Sequence, residues 1–358
     1  VGSSPFLPTV LVESVETREE KKRRNTGYRA WCRKYGSKIV VFFFLLVLLD
    51  KIDDWNSSQT WNELLPTSIQ HDYSHVTKID DLSTSEVNNW CYRTRPLCTC
   101  ADPLEPDNRR IESKLWSHQH HLNKERAASK QEIDVLFLGD SITEGWVGTS
   151  LSREIPRAKE VPKVFRKYFD SPNAQYEGLP LGISGDTSPN LLWRIQNGEL
   201  PDKLNPKVIW LLIGTNDFGN TWCAPEIVVV GIVRVIEELR LRKPGAQIVV
   251  NGLLPRSYNR KGYVMKGRPS FLGRKPRLPS LWRDIVAVNE ELKSYARRRS
   301  NVHYFESQVF FVDKDASLDQ LRIRKSLMPD KLHPSAGGYR LWGAEIIRSL
   351  EGIIPTRL

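Results

Sequence analysis

The sequence has no zinc-finger spacing, no RNA-binding signature and no basic heptad region. Its net charge of +11 therefore lacks the motifs through which such an excess usually meets nucleic acid, and no nucleic-acid partner is expected. The charge is also local. Nine of the 21 positions from Arg18 to Lys38 are Lys or Arg, and Arg256 to Arg277 carries eight basic residues and no acid. Cysteine is limited to five, and Cys98-Thr99-Cys100 has no second pair at ligand spacing to complete a zinc site. What remains is the composition of a globular protein, 40% hydrophobic and 27% charged. A length of 358 residues allows one large α/β domain with appendages, or two domains at most.

Ile39 to Leu49, "IVVFFFLLVLL", is a run of eleven apolar residues. A helix of that length rises about 16 Å against a hydrocarbon core of about 30 Å, short for a span. Three readings stay open: a signal-anchor whose basic flanks snorkel, the h-region of a cleaved signal, and a buried core helix. Charge asymmetry favours the anchor, because the preceding flank is basic while Asp50 to Trp90 carries eight acidic residues and two basic ones. No small-x-small cleavage site follows Leu49, which favours retention over removal. On this reading 1–38 is a basic tail, 39–49 meets the membrane, 50–110 is a polar stem and 111–358 is a folded domain. The domain then faces a lumen of the secretory pathway, with secretion after cleavage as the alternative. Asn56-Ser57-Ser58 in the stem is the only N-glycosylation sequon. Cys91, Cys98, Cys100 and Cys223 follow the apolar run, an even number available for two bridges in an oxidising lumen.

From Ile133 onward, short β-branched runs alternate with stretches of helical period. The expected strands are 133–138, 174–179, 207–213, 247–253 and 302–305, apolar enough for a parallel sheet covered on both faces. The expected helices are 189–196, 224–241, 281–299 and 335–350. The alternation predicts an α/β fold, a three-layer α/β/α sandwich of five parallel strands behind an N-terminal anchor and stem.

In "DVLFLGDSITEGW" the first strand runs directly into Gly139-Asp140-Ser141. A serine past a strand and at the start of a helix sits in the crevice where such sheets bind ligands. It is a poor nucleophile alone and requires a base, an acid to orient that base, and donors for an oxyanion. "DKLHP" offers Asp330 and His333 before the last helix, "IGTNDF" offers the Asn216 amide, and "GISGDTS" offers the bare backbone N–H of Gly185.

These four segments resemble the blocks of the SGNH (GDSL) hydrolase family, over about 115–350. "GDTSPNLLWRIQNGEL", "NPKVIWLLIGTND" and "NGLLPR" are similar to the platelet-activating-factor acetylhydrolase catalytic-subunit-like esterases. The resemblance implies a flavodoxin-like sheet, Ser141 as nucleophile, His333 as base and Asp330 as its partner. It implies an oxyanion hole from Ser141, Gly185 and Asn216, no metal or organic cofactor, and hydrolysis of short acyl esters, with a short-acyl phospholipid as the substrate it suggests, whereas an acetylated glycan would suit a lumenal enzyme on a stem. A homodimer is compatible with it. Two departures stand out: Pro180 where those relatives usually have Asn five residues before the second-block Gly, and a basic insertion from Ser257 to Pro279 of a kind that would cover or narrow the crevice.

Each motif alone has a plainer reading as a turn or helix cap, and joint occurrence in order carries the esterase reading. A catalytically silent binding protein on the same fold is the alternative. Asp140, Asp186 and Asp217 are read as local hydrogen-bonding groups, and His118, His120 and His121 as packing or surface residues. Trp193 and Trp222, near the expected crevice rim, are assigned to packing before substrate contact.

Overall fold

The computed structural model of the protein describes residues 69–92, 98–267, 278–313 and 317–355. The apolar run 39–49, Cys32, the sequon and the basic tail lie outside them. Five strands form one sheet: β1 (Glu132–Gly139), β2 (Gly178–Gly182), β3 (Asn205–Leu212), β4 (Gln247–Asn251) and β5 (Val302–Phe305). Their order is β2-β1-β3-β4-β5, all parallel. In β1 every residue after Glu132 is buried, because helices cover both faces, and this is why the strand reads as an unbroken apolar run rather than an alternating one.

The helices are α1 (Lys114–Ala128), α2 (Ser141–Glu144), α3 (Val161–Phe169), α4 (Ser188–Arg194), α5 (Thr215–Gly219), α6 (Pro225–Arg242), α7 (Trp282–Arg297) and α8 (Ala336–Glu351). α3 packs on α8, while α6 packs on both α4 and α7. Phe137 of β1 anchors one apolar layer, meeting Phe169 at 5.0 Å and Trp146 at 6.2 Å between ring centroids. Trp146 in turn stacks on Trp342 of α8 at 5.3 Å. Each such buried aromatic contributes roughly 1.5–3 kcal/mol.

Two expectations are corrected. The second strand lies at Gly178–Gly182 rather than 174–179, and Pro180 sits within it, tolerated because β2 is an edge strand. The expected loose stem is packed from residue 69 onward. Tyr73, Val76, Leu82, Val87 and Tyr92 are buried in the main core, since they recur often enough to fill the grooves along α6 and α7. The disulfides Cys91–Cys98 and Cys100–Cys223 fasten this segment, the second tying it to the loop after α5.

The chain leaves β1 for β2 on one side and returns to β3 on the other. The crevice between the carboxyl ends of β1 and β3 is thus a topological switch point, where such folds hold ligands. Ser141 follows β1 and Asn216 follows β3.

Candidate active site

Asp140 turns the chain from β1 into α2, accepting the Ile142 N–H on Oδ1 at 2.9 Å. Ser141 is the first residue of that short helix and is 6% exposed. Tyr339 of α8 donates its hydroxyl to the Ile142 carbonyl at 2.6 Å. On the other side Gly182 lies so close that a Cβ there would collide with the backbone of Asp140 and Glu144. α2 is therefore held between β2 and α8.

The same contact brings in the His333 imidazole. Ser335 caps α8, accepting the Gly338 N–H at 3.2 Å, and His333 stands two residues ahead of it. Ser141 Oγ lies 2.9 Å from His333 Nε2, and His333 Nδ1 lies 2.8 Å from Asp330 Oδ2. Asp330 Oδ1 also accepts the backbone N–H groups of His333 at 2.7 Å and Leu332 at 3.0 Å, so one turn sets both carboxylate and imidazole. Partial burial works against charge on Asp330, but hydrogen bonds from the His333 ring and amide and from Leu332 outweigh it. They hold this carboxyl well below its usual range. With Nδ1 donating to that carboxylate, Nε2 is the acceptor for the Ser141 hydroxyl.

Gly185 has φ of 86°, a left-handed conformation that a side chain would strain. Its loop is braced from two sides. Glu144 Oε2 accepts both the N–H and the hydroxyl of Ser184 at 2.7 Å, while Oε1 accepts from Thr149 at 2.9 Å and the Ser152 N–H at 3.1 Å. Opposite, Arg110 donates to the Ser184 carbonyl at 2.9 Å and to Asp186 Oδ1 at 2.5 Å. Fully buried Arg194 donates to Asp186 Oδ2 at 2.8 Å, to the Gly139 carbonyl at 2.9 Å and to Glu199, joining the end of β1 to this loop. These bonds support the loop that follows Pro180 and the end of β2.

Asn216 lies between the two loops. Its Nδ2 donates to the Asp186 carbonyl at 2.9 Å and approaches Asp140 Oδ2 at 3.4 Å, while Asn220 donates to its Oδ1 at 3.1 Å. In this resting geometry both amide hydrogens are engaged, and the long contact to Asp140 is the weaker one. Burial pushes the Asp140 carboxyl up to about 7, and the negative neighbours Asp186 and Asp217 add to this while the Ile142 N–H opposes it. Burial likewise raises Asp217 to about 6, against hydrogen bonding from Ser188.

Glu144, Arg110 and Arg194 were not singled out from the sequence. A signal existed for two of them: Glu144 falls three residues after Ser141 on one helical turn, and Arg194 interrupts the apolar stretch "NLLWRI". Trp193 packs against Trp116 and His120, and Trp222 against Tyr92 and Tyr258. His120 pairs with Glu199 at 2.7 Å and His121 with Glu125 at 3.2 Å. Among the described residues no three His, Cys, Asp or Glu side chains converge as a metal site. The described part of the basic insertion packs beside the Asp330 turn, with the Ser257 N–H on the Lys331 carbonyl at 3.2 Å and the Val264 N–H on the Leu321 carbonyl at 3.0 Å. Residues 268–277 of it lie outside the described residues.

Residues 137–341 match the pattern of the GDSL-like Lipase/Acylhydrolase family. Platelet-activating factor acetylhydrolase IB subunit alpha2 of Homo sapiens is 31% identical over 258 residues, 72% of this chain and 89% of that protein. The alpha1 subunit of Bos taurus is 30% identical over 224 residues, 63% of this chain and 77% of that one. A solved GDSL-like lipase from Bacteroides thetaiotaomicron aligns with a TM-score of 0.47 at 20% identity, covering 67% of this chain and 100% of that one.

Proposed function

The chain belongs to the GDSL-like lipase/acylhydrolase family and is an ester hydrolase, and we propose that it works as a serine esterase through Ser141, His333 and Asp330. One observation supports this above the rest: the continuous row from Ser141 Oγ through the His333 ring to Asp330, at 2.9 and 2.8 Å, joining residues 192 apart in sequence. Ser141 attacks the ester carbonyl while His333 Nε2 takes its proton, and Asp330 steadies the imidazolium. The N–H groups of Ser141 and Gly185 receive the oxyanion, and Asn216 joins them by exchanging its long contact to Asp140 for the new charge. His333 then returns its proton to the leaving alcohol, and water clears the acyl-enzyme by the same route.

The acetylhydrolase names of the relatives support a short acyl group, and the alcohol that carries it is a lipid or, for a lumenal enzyme on a stem, a glycan. The test is labelling with a serine-directed fluorophosphonate alongside turnover of 4-nitrophenyl acetate. Wild type labels and turns over, and Ser141→Ala does neither. An inert wild type that retains ligand binding points instead to a silent binding protein on this fold.

We also propose a lumenal site for the catalytic domain. The two disulfides support an oxidising compartment, and the charge asymmetry around 39–49 supports an anchor there.

A further inference from the structure

A cavity of about 410 Å³ adjoins Gly185, with neither Ser141 nor His333 among its lining residues. One wall is Thr99, Ala101 and Pro103 of the N-terminal segment. That wall is held by the Cys100–Cys223 disulfide and by the Thr99 N–H on the Thr221 carbonyl at 3.1 Å. The facing wall includes Gly185 and Asn220, one helical turn beyond Asn216. Gly185 is thus shared between the proposed oxyanion hole and the wall of this cavity.

The chemistry of the walls selects what enters. Ile227 is the only large aliphatic side chain in them, so a long acyl chain would find little aliphatic surface to bury against. A phosphate headgroup fares little better. Arg109 already makes two bonds to Asp107, at 2.9 and 2.8 Å, and Arg110 is committed to Asp186 and the Ser184 carbonyl. The Thr99 hydroxyl and the Asn220 carbonyl oxygen make no hydrogen bond among the described residues and remain to bind neutral donors and acceptors. The volume lies toward the lower end of ligand pockets, which run from about 300 to 1,000 Å³, and has room for a sugar-sized group.

We propose that this cavity binds the alcohol half of the substrate and that the alcohol is uncharged and hydroxyl-rich, a sugar of an acetylated glycan. This rests on the esterase reading, since Gly185 serves both the oxyanion and the cavity wall. The leaving oxygen stays beside His333, and the body of the sugar reaches across Gly185.

The test uses the full chain. Ser141→Ala protein is titrated calorimetrically with cellobiose, glycerophosphocholine and octanoate, then again with Ala101→Trp or Thr99→Val added, each variant checked for an unchanged far-ultraviolet spectrum. Cellobiose binds, weakens about tenfold with the bulky residue and less with the loss of one hydroxyl, while the other two probes do not respond. No cellobiose binding, indifference to both substitutions, or response of glycerophosphocholine or octanoate in its place overturns the assignment. In the active enzyme Ala101→Trp raises KM for 6-O-acetylglucose, whose other hydroxyls are free, about tenfold. An active wild type with KM for the sugar ester unmoved by Ala101→Trp defeats the cavity assignment and spares the esterase reading. Loss of wild-type turnover on every ester defeats the esterase reading, and the calorimetric arm still decides on the cavity.

Discussion

On the proposed mechanism Asn216 is a residue whose contacts change between rest and reaction. Its amide is shared between the Asp186 carbonyl and, at 3.4 Å, the Asp140 carboxyl, so one hydrogen is cheaply released to a new negative oxygen. Asn216→Ala should lower kcat about 10²–10³-fold, some 2.7–4 kcal/mol of transition-state stabilisation, with little change in KM in steady-state assays. Asp140 makes a second prediction. Its carboxyl is raised from 3.8 to about 7 in the folded chain, so between about pH 4 and pH 7 the folded state holds a proton that the unfolded chain has released. Stability therefore declines as pH rises through that window and levels off above it. Asp140→Asn keeps an oxygen for the Ile142 N–H but cannot titrate. Urea denaturation across that range should show a shallower decline, reduced rather than abolished because Asp217, raised to about 6, acts in the same direction. At this scale the approach of Ser141, His333 and Asp330 to one another, and the placing of Gly185 and Asn216 beyond strand ends, were legible because each stands in a short motif at a strand end or before a helix. Glu144 and Arg194 left only a faint trace, because no motif records a buried carboxylate satisfied by four donors or a buried guanidinium shared between Asp186 and Glu199.

Among the elements, the long apolar strands β1, β3 and β4 were legible because burial on both faces writes itself as an unbroken run. β2 was misplaced by four residues, since "GLPLG" contains a proline that argues against a strand unless its edge position is known. α3, with Val161, Val164, Phe165 and Phe169 on its buried face, carried a period that was not read. The stem was misread because acidic composition masked apolar residues that serve α6 and α7. Cys100–Cys223 closes a 123-residue separation between that segment and the loop after α5. Removing a native disulfide typically costs about 2–5 kcal/mol. Cys100→Ser with Cys223→Ser should lower the thermal midpoint and make 99–103 susceptible to limited proteolysis, read by mass spectrometry, while fluorophosphonate labelling of Ser141 persists. Intact 99–103 under those conditions would show that packing alone holds the segment.

At the scale of the whole molecule the charge of +11 is a sum of separate basic stretches rather than one field. Composition therefore said little about partners, whereas strand order and motif order together said a good deal about chemistry. A lumenal domain behind 39–49 predicts that expression in a secretory host yields membrane-associated protein with a glycosidase-sensitive mass increment at Asn56. Recovery in the soluble cytosolic fraction with free thiols at Cys100 and Cys223 would count against it. The proposed nucleophile and the carboxylate that braces the Gly185 loop also ride one four-residue turn, Ser141 and Glu144. Any tilt of that turn would carry the Ser141 hydroxyl and the cradle of the Gly185 loop in step. Grafting the serine onto another scaffold without its acidic neighbour would transplant a hydroxyl and leave the cradle behind.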